Sequence, residues 1–206
     1  MRKILIATHN QGKLREIKKV FKGLPPHQKF GSGGEPFKIY GLKEMGIDFD
    51  VEETGKTFKA NAILKARTYG KLTGLLTLAE DAGLEVDALG GAPGIYSARY
   101  CPGTDEDRYR LLLKNLIGVS MKKRTARFKA VVAIFDPKTG KIKTCQGVLE
   151  GRIAVKPNGK HGFGYDPTFY VPELKKRTAE LTIEEKNKVS HRGKVWRKAR
   201  KILELF

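Results

Sequence analysis

The run Leu75-Leu76-Thr77-Leu78-Ala79 is long enough for one buried strand, and it ends on two adjacent carboxylates, Glu80 and Asp81. Acids at the end of a buried strand lie where an α/β sheet presents its chemistry. Neighbours on a strand point to opposite faces, so at most one of the pair meets a given ligand. The other is left for a supporting or structural role. Gly90-Gly91-Ala92-Pro93-Gly94 follows and forces a tight, irregular backbone, because glycine admits positive φ and proline fixes φ. Such a loop can bring N–H groups to an anion. The same segment also reads as a strand ending in solvated acids before a glycine-rich turn.

The remaining elements frame this stretch. Ile4–Ala7 reads as a central strand running into Thr8-His9-Asn10-Gln11-Gly12-Lys13, then into a helix with Leu14, Ile17, Val20 and Phe21 on one face. A strand–loop–helix entry offers outward N–H groups and a helix dipole to an anion. Thr8 and Asn10 add polar ligands, and Lys13 adds a cation. The pattern GxxxxGK[ST] is absent, and an Asn-capped helix with a surface lysine fits the residues equally well. Gly23 to Pro36 reads as a loop or insertion. Phe37–Tyr40 is strand-like, and Thr54 or Thr57 caps a helix from Phe58 to about Tyr69. Glu52 and Glu53 precede that helix. They either favour its N-terminus or give a second carboxylate to a metal site begun by Asp81.

Downstream, Thr104–Asp107 starts a helix carrying Tyr109, Leu112, Leu113 and Leu116. Ala126–Phe135 is a hydrophobic strand, and Asp136–Gly140 turns it back into Lys141–Leu149, so the sheet is mixed. In His161-Gly162-Phe163-Gly164-Tyr165-Asp166-Pro167, Phe163 and Tyr165 offer flat faces on which a base can stack, and Asp166 offers an acceptor. A core-plugging aromatic turn is the alternative. Thr182 and Glu185 form a capping box for a short helix through Lys186. Ser190-His191-Arg192 leads into a last helix with Val195, Trp196, Ala199, Ile202 and Leu203 inward.

The chain has 206 residues, 40% of them hydrophobic, which suits one domain or two closely packed lobes. No apolar run reaches the ~18 residues of a membrane span, and no signal-like leader is evident. Cys101 and Cys145 match no zinc spacing, so a reduced, cytoplasmic setting is expected. The formal charge of +19 attracts polyanions, nucleotides included. Its spread along the whole chain favours a solvated lysine-rich surface, and no nucleic-acid motif accompanies it, so no specific nucleic-acid partner is expected.

Taken together, THNQGK, EETG, AEDAGL with LGGAPGIYSARY, GFGYDP and EEK…SHR occur in an order and at separations that closely resemble the inosine/xanthosine triphosphate pyrophosphatase family. The likeness runs from Lys3 to the last helix. It implies an α/β fold: a long mixed β-sheet flanked by helices, in two lobes around a central nucleotide-binding cleft, within a single domain over 1–206. It also implies a homodimer that cleaves ITP, dITP or XTP with Mg2+ between the α- and β-phosphates. By this resemblance Thr8, His9, Asn10, Gln11, Gly12 and Lys13 grip phosphate. Asp81 is the catalytic acid/base and a metal ligand, with Glu52 as partner ligand and Glu53 as the alternative. Ala82, Phe163, Gly164, Tyr165, Asp166, Lys186, His191 and Arg192 complete substrate binding, with Arg192 as the donor to the base. A triphosphate carries about four negative charges, so lysines and a divalent cation are needed to hold it. Three departures stand out. Ala82 replaces a serine common in the family, Lys160-His161 replaces small residues, and the 23–36 region is longer than usual.

Overall fold

The computed structural model describes residues 2–22, 37–203 and 205–206, and the predicted 23–36 loop lies outside them. Along the chain run β1 (Arg2–Ile6), α1 (Gln11–Lys22), β2 (Phe37–Gly41), α2 (Phe58–Thr73), β3 (Leu76–Val86), α3 (Asp105–Asn115), β4 (Thr125–Phe135), β5 (Ile142–Ile153), β6 (Phe169–Val171), β7 (Lys176–Arg177), α4 (Ile183–Val189) and α5 (His191–Leu203). The strands form one seven-stranded sheet in the order β2-β1-β3-β4-β5-β6-β7. It is mixed, as predicted: β1 is parallel to β2 and β3, whereas β6 is antiparallel to β5 and β7. The chain divides into two compact units. The first is Met1–Asp81, Ala130–Gly147 and Arg192–Phe206, and the second is Ala82–Lys129 and Val148–His191.

In the first unit, Ile4 pairs with Leu76 and Ile6 with Leu78. Ile4, Leu5 and Ile6 are all buried, the unbroken apolar run that a strand covered on both faces requires. Helix α1 starts with Asn10, whose Oδ1 accepts from Lys13 N at 2.9 Å. Phe21 of α1 meets Trp196 of α5 edge-on, ring centres 5.9 Å apart. Thr57 caps α2 through Ala60 N, and α2 ends at Gly74 in the left-handed region, a turn later than predicted. A Cβ on Gly70 would fall 2.6 Å from Phe135 Cδ1, so glycine is what lets α2 lie against β4.

The second unit has its own core, in which Leu84, Val86, Leu112, Leu116, Phe128, Leu149, Ile153, Phe169 and Val171 pack together. This explains two boundary corrections. Strand β3 does not end at its carboxylates: Leu84 and Val86 carry it on to residue 86, so Glu80 and Asp81 sit in mid-strand. Strand β5 likewise runs past Leu149 because Ile153 enters the same core. Thr104 and Asp107 form a capping box on α3. The Arg124 guanidinium closes the other end of that helix, donating to Leu116 O, Val119 O and Ala154 O.

Candidate active site

In the first unit the mid-strand acids separate as strand geometry requires. Glu80 takes one cluster of partners. Arg192 Nε donates to its Oε1 and Oε2 at 3.0 and 3.1 Å, and Arg192 Nη2 donates to Oε1 at 2.8 Å. Trp196 Nε1 donates to Glu80 Oε2 at 2.6 Å, and Lys13 Nζ stands 3.6 Å from Oε1. Arg192 Nη1 also donates to Glu16 Oε2 at 2.6 Å. Burial works against a charged Glu80, but Arg192, Lys13 and the Trp196 hydrogen bond overcome it and hold the carboxyl far below its usual range. Arg192, expected as a donor to the base, is thus engaged by two buried acids.

Asp81 takes the other cluster. Asn61 Nδ2 donates to its Oδ2 at 3.2 Å, and Lys65 Nζ lies 3.5 Å from Oδ1. The same ammonium pairs with Glu53 Oε1 at 2.6 Å, and Gly55 N fixes Asn61 through Oδ1 at 2.8 Å. Burial raises the proton affinity of Asp81, and Glu53 adds to it; Lys65, Lys13 and Asn61 pull the other way without winning. Of the two adjacent glutamates, Glu53 is joined to Asp81 through Lys65, while Glu52 is exposed. Asn61 and Lys65 escaped the sequence reading. The available signal was an Asn inside an amphipathic helix, a poor helix former, one turn before a lysine.

The Thr8–Lys13 turn is ordered by its own side chains. Thr8 Oγ1 accepts from Asn10 N, and Gln11 Nε2 donates to His9 O. The His9 ring nitrogen sits 3.1 Å from Phe49 O and 3.8 Å from Asp50. Burial lowers the Lys13 pKa, against the pull of Glu80 and Asp81, with Arg192 and Lys65 adding to the lowering.

Among the described residues no three His, Cys, Asp or Glu side chains gather as a metal nest. Mg2+ needs none, since it typically uses one or two carboxylates and completes its shell with substrate phosphates and water. Asp81 and Glu53 supply hard oxygens of that kind.

In the second unit the Phe163–Asp166 loop is assembled with Lys186. Asp166 is buried and accepts from Phe163 N, Thr178 Oγ1 and Lys186 Nζ, at 2.9, 2.8 and 2.6 Å. The Lys186 ammonium lies 5.0 Å from the centre of the Phe163 ring. Gly162, at φ 82°, leaves no room for a Cβ beside Asp166. Gly164 N donates to Asp105 at 2.7 Å. Tyr165 is the core-plugging aromatic, its hydroxyl donating to Ser97 O at 2.9 Å, whereas Phe163 stays half-buried. His191 stacks on Phe128, ring centres 4.8 Å apart, and Ala82 is half-buried. Lys186 therefore belongs with the aromatic loop, His191 with Phe128, and Arg192 with Glu80.

A mixed sheet flanked by helices, with a polar turn at a helix entry and an acid–lysine group in mid-strand, defines the class: an α/β protein with a charged polar site. The chain belongs to the Ham1 family, which it matches over residues 4–202. It is 47% identical over 193 residues to the dITP/XTP pyrophosphatase of Thermoanaerobacter pseudethanolicus, covering 93% of this chain and 91% of that protein. To the dITP/XTP pyrophosphatase of Bacillus subtilis it is 42% identical over 206 residues, covering 99% and 98%. Among solved structures, the Ham1 protein of Staphylococcus aureus superposes with a TM-score of 0.83 at 40% identity, over 98% of each chain. A HAM1 protein from Coxiella burnetii does so with 0.85 at 39% identity, over the full length of both. The family and the α/β class read from the sequence are both borne out.

Proposed function

We propose that this protein hydrolyses non-standard purine nucleoside triphosphates (dITP, XTP and ITP) to the monophosphate and pyrophosphate, the whole chain serving as a single catalytic domain. Water forms a bond to the α-phosphorus, the bond from that phosphorus to the bridging oxygen breaks, and pyrophosphate leaves. The observation that carries this reading is Asp81: a buried carboxyl with raised proton affinity, fixed by Asn61 beside Lys65 and Glu53. A carboxylate tuned toward neutral pH is suited to accept the proton of the attacking water, for about 10²–10⁴-fold in rate.

Lys13 and the N–H groups of Gln11 and Gly12 grip phosphate oxygens, and Lys65 offsets charge that grows on the reacting phosphoryl group. Asp81, with Glu53 or Glu52, would hold Mg2+, which when bound supplies Lewis-acid stabilisation of that charge. Phe163, backed by Lys186, gives the purine a stacking face. Bases with a 6-oxo group and no 2-amino group are selected because donors aimed at the oxo groups stay unpaired opposite the wrong base. The working form is a homodimer in the cytoplasm.

The test is pyrophosphate release from dITP, XTP, ITP and the four ordinary dNTPs, with Mg2+ and with a chelator. Preference for dITP, XTP or ITP, and loss of at least ~10²-fold in Asp81→Asn, are expected. A preference for dTTP or dATP, or near wild-type turnover in Asp81→Asn, overturns the proposal.

A further inference from the structure

The outer face of α5 carries Lys194, Arg197, Lys198 and Lys201, at i, i+3, i+4 and i+7, and all four are exposed. They form a single stripe about 10 Å long. The opposite face, Val195, Trp196, Ala199 and Leu203, is buried in the first unit. From residue 191 to residue 203 the helix contains no Asp or Glu. Like charges one turn apart work against a helix, and this helix supplies no acid of its own to offset them.

The stripe continues onto β5. Cys145 Sγ donates to Val195 O at 3.6 Å, and Lys198 Nζ donates to Gln146 O at 2.9 Å, which seats α5 over that strand. Strand alternation puts Lys143 on the same face as Cys145. Lys141 Nζ donates to Leu205 O, at the far end of the helix. Part of the positive charge that is spread along the sequence is thus gathered on one face of the first unit.

We infer that this α5–β5 face is a sequence-independent contact for the phosphate backbone of a nucleic-acid duplex. A duplex presents one negative charge per ~1.7 Å of axis, a density that matches a run of closely spaced cations. The exposed stripe holds no Asn, Gln or aromatic side chain, so it reads phosphates and neither base edges nor unstacked bases. A membrane surface fits less well. An interfacial helix must bury an apolar face in lipid, and the apolar face of α5 is already spent in the core. This contact is separate from the proposed active site, because none of its residues was placed there.

The test is anisotropy of a labelled DNA duplex of about 20 bp, titrated with full-length protein at about 50 and about 200 mM salt. A variant with Lys194, Arg197, Lys198 and Lys201 all changed to Gln is compared with one in which Lys122, Lys123, Lys156 and Lys176 are changed, an equal loss of charge elsewhere. The α5 variant is expected to bind at least ~10-fold more weakly, with a salt slope shallower by about 3–4 units, while its dITP turnover stays at wild-type level. The control variant stays within about threefold of wild type. Should four changes on one helix unfold it, Lys194→Gln/Arg197→Gln and Lys198→Gln/Lys201→Gln each take about half that slope. Absence of binding by the wild type, equal weakening in the control, or tighter binding to phosphatidylserine vesicles than to the duplex overturns the inference.

Discussion

Replacing Arg192 by Met tests the buried ion cluster directly. The Arg192 side chain is 4% exposed, Glu16 4% and Glu80 1%, so the substitution removes a cation and leaves two carboxylates in the interior. Breaking a buried pair from one side costs about 3–5 kcal/mol. Lys13 at 3.6 Å and the Trp196 indole at 2.6 Å remain to serve Glu80, which places the loss near about 3 kcal/mol. At about 2–4 °C per kcal/mol for a chain of this size, Tm falls by about 6–12 °C. The pH dependence carries the sharper signature. In the wild type burial opposes ionisation of Glu80, but Arg192 wins, so the stabilisation is present above the ordinary value of 4.5 and is lost as pH drops toward the depressed folded value. In the variant burial meets less opposition, the carboxyls take protons more readily, and their penalty vanishes on acidification. The Tm gap between the two proteins therefore narrows below pH 4.5. Thermal melts by circular dichroism from neutral to acid pH measure it. A gap under ~1 kcal/mol, or one equally wide on both sides of that pH, refutes the reasoning.

Three further outcomes are expected. Because burial and Glu53 raise the pKa of Asp81, its ionised form costs the folded state stability at neutral pH; Asp81→Asn should raise the Tm of chelator-treated protein at that pH, and a lower Tm contradicts it. Gly70→Ala puts a methyl 2.6 Å from Phe135 Cδ1, an overpacking worth about 1–3 kcal/mol in a denaturant melt, and an unchanged midpoint contradicts the packing described. Phe163→Ala removes a stacking face worth about 1–3 kcal/mol, so KM for dITP should rise about 5- to 150-fold with a smaller change in kcat, and an unchanged KM removes Phe163 from the base site.

Chemistry confined to a few neighbouring residues was readable in the sequence. Thr182 caps α4 as read, Thr57 proves to be the cap of α2 out of the two candidates Thr54 and Thr57, and Thr104, read as the start of α3, caps it, because capping needs only a hydroxyl and N–H groups two or three residues on. The Asp136–Gly140 turn was readable for the same reason, with Gly140 N donating to Asp136 O at 2.9 Å. Distant partners were not readable. Ala82-Gly83 looks like the end of a strand, and only the second core, which receives Leu84 and Val86, shows that β3 goes on. Asp166 looks like an open acceptor until Lys186, twenty positions away, fills it. The turn around Tyr165 was left open between stacking platform and core plug; Tyr165 plugs the core, while Phe163 stays half-exposed.

The most consequential case is the pair Glu80 and Asp81. One-residue alternation on β3 sends them to opposite faces, and what meets each face decides its chemistry. Glu80 meets a guanidinium and an indole N–H and is held ionised, whereas Asp81 meets an amide, an ammonium shared with Glu53, and burial that favours its proton. Under the proposed function, neighbouring carboxyls driven in opposite directions separate an anchor, Glu80, from the proposed base, Asp81. Glu80 is also the buried acid facing Lys13, at 3.6 Å. A one-residue slip of β3 would turn each carboxyl to the opposite face and away from the partners described here. The register Ile4–Leu76 and Ile6–Leu78, set by apolar side chains, is therefore what sends the two carboxyls to their separate partners.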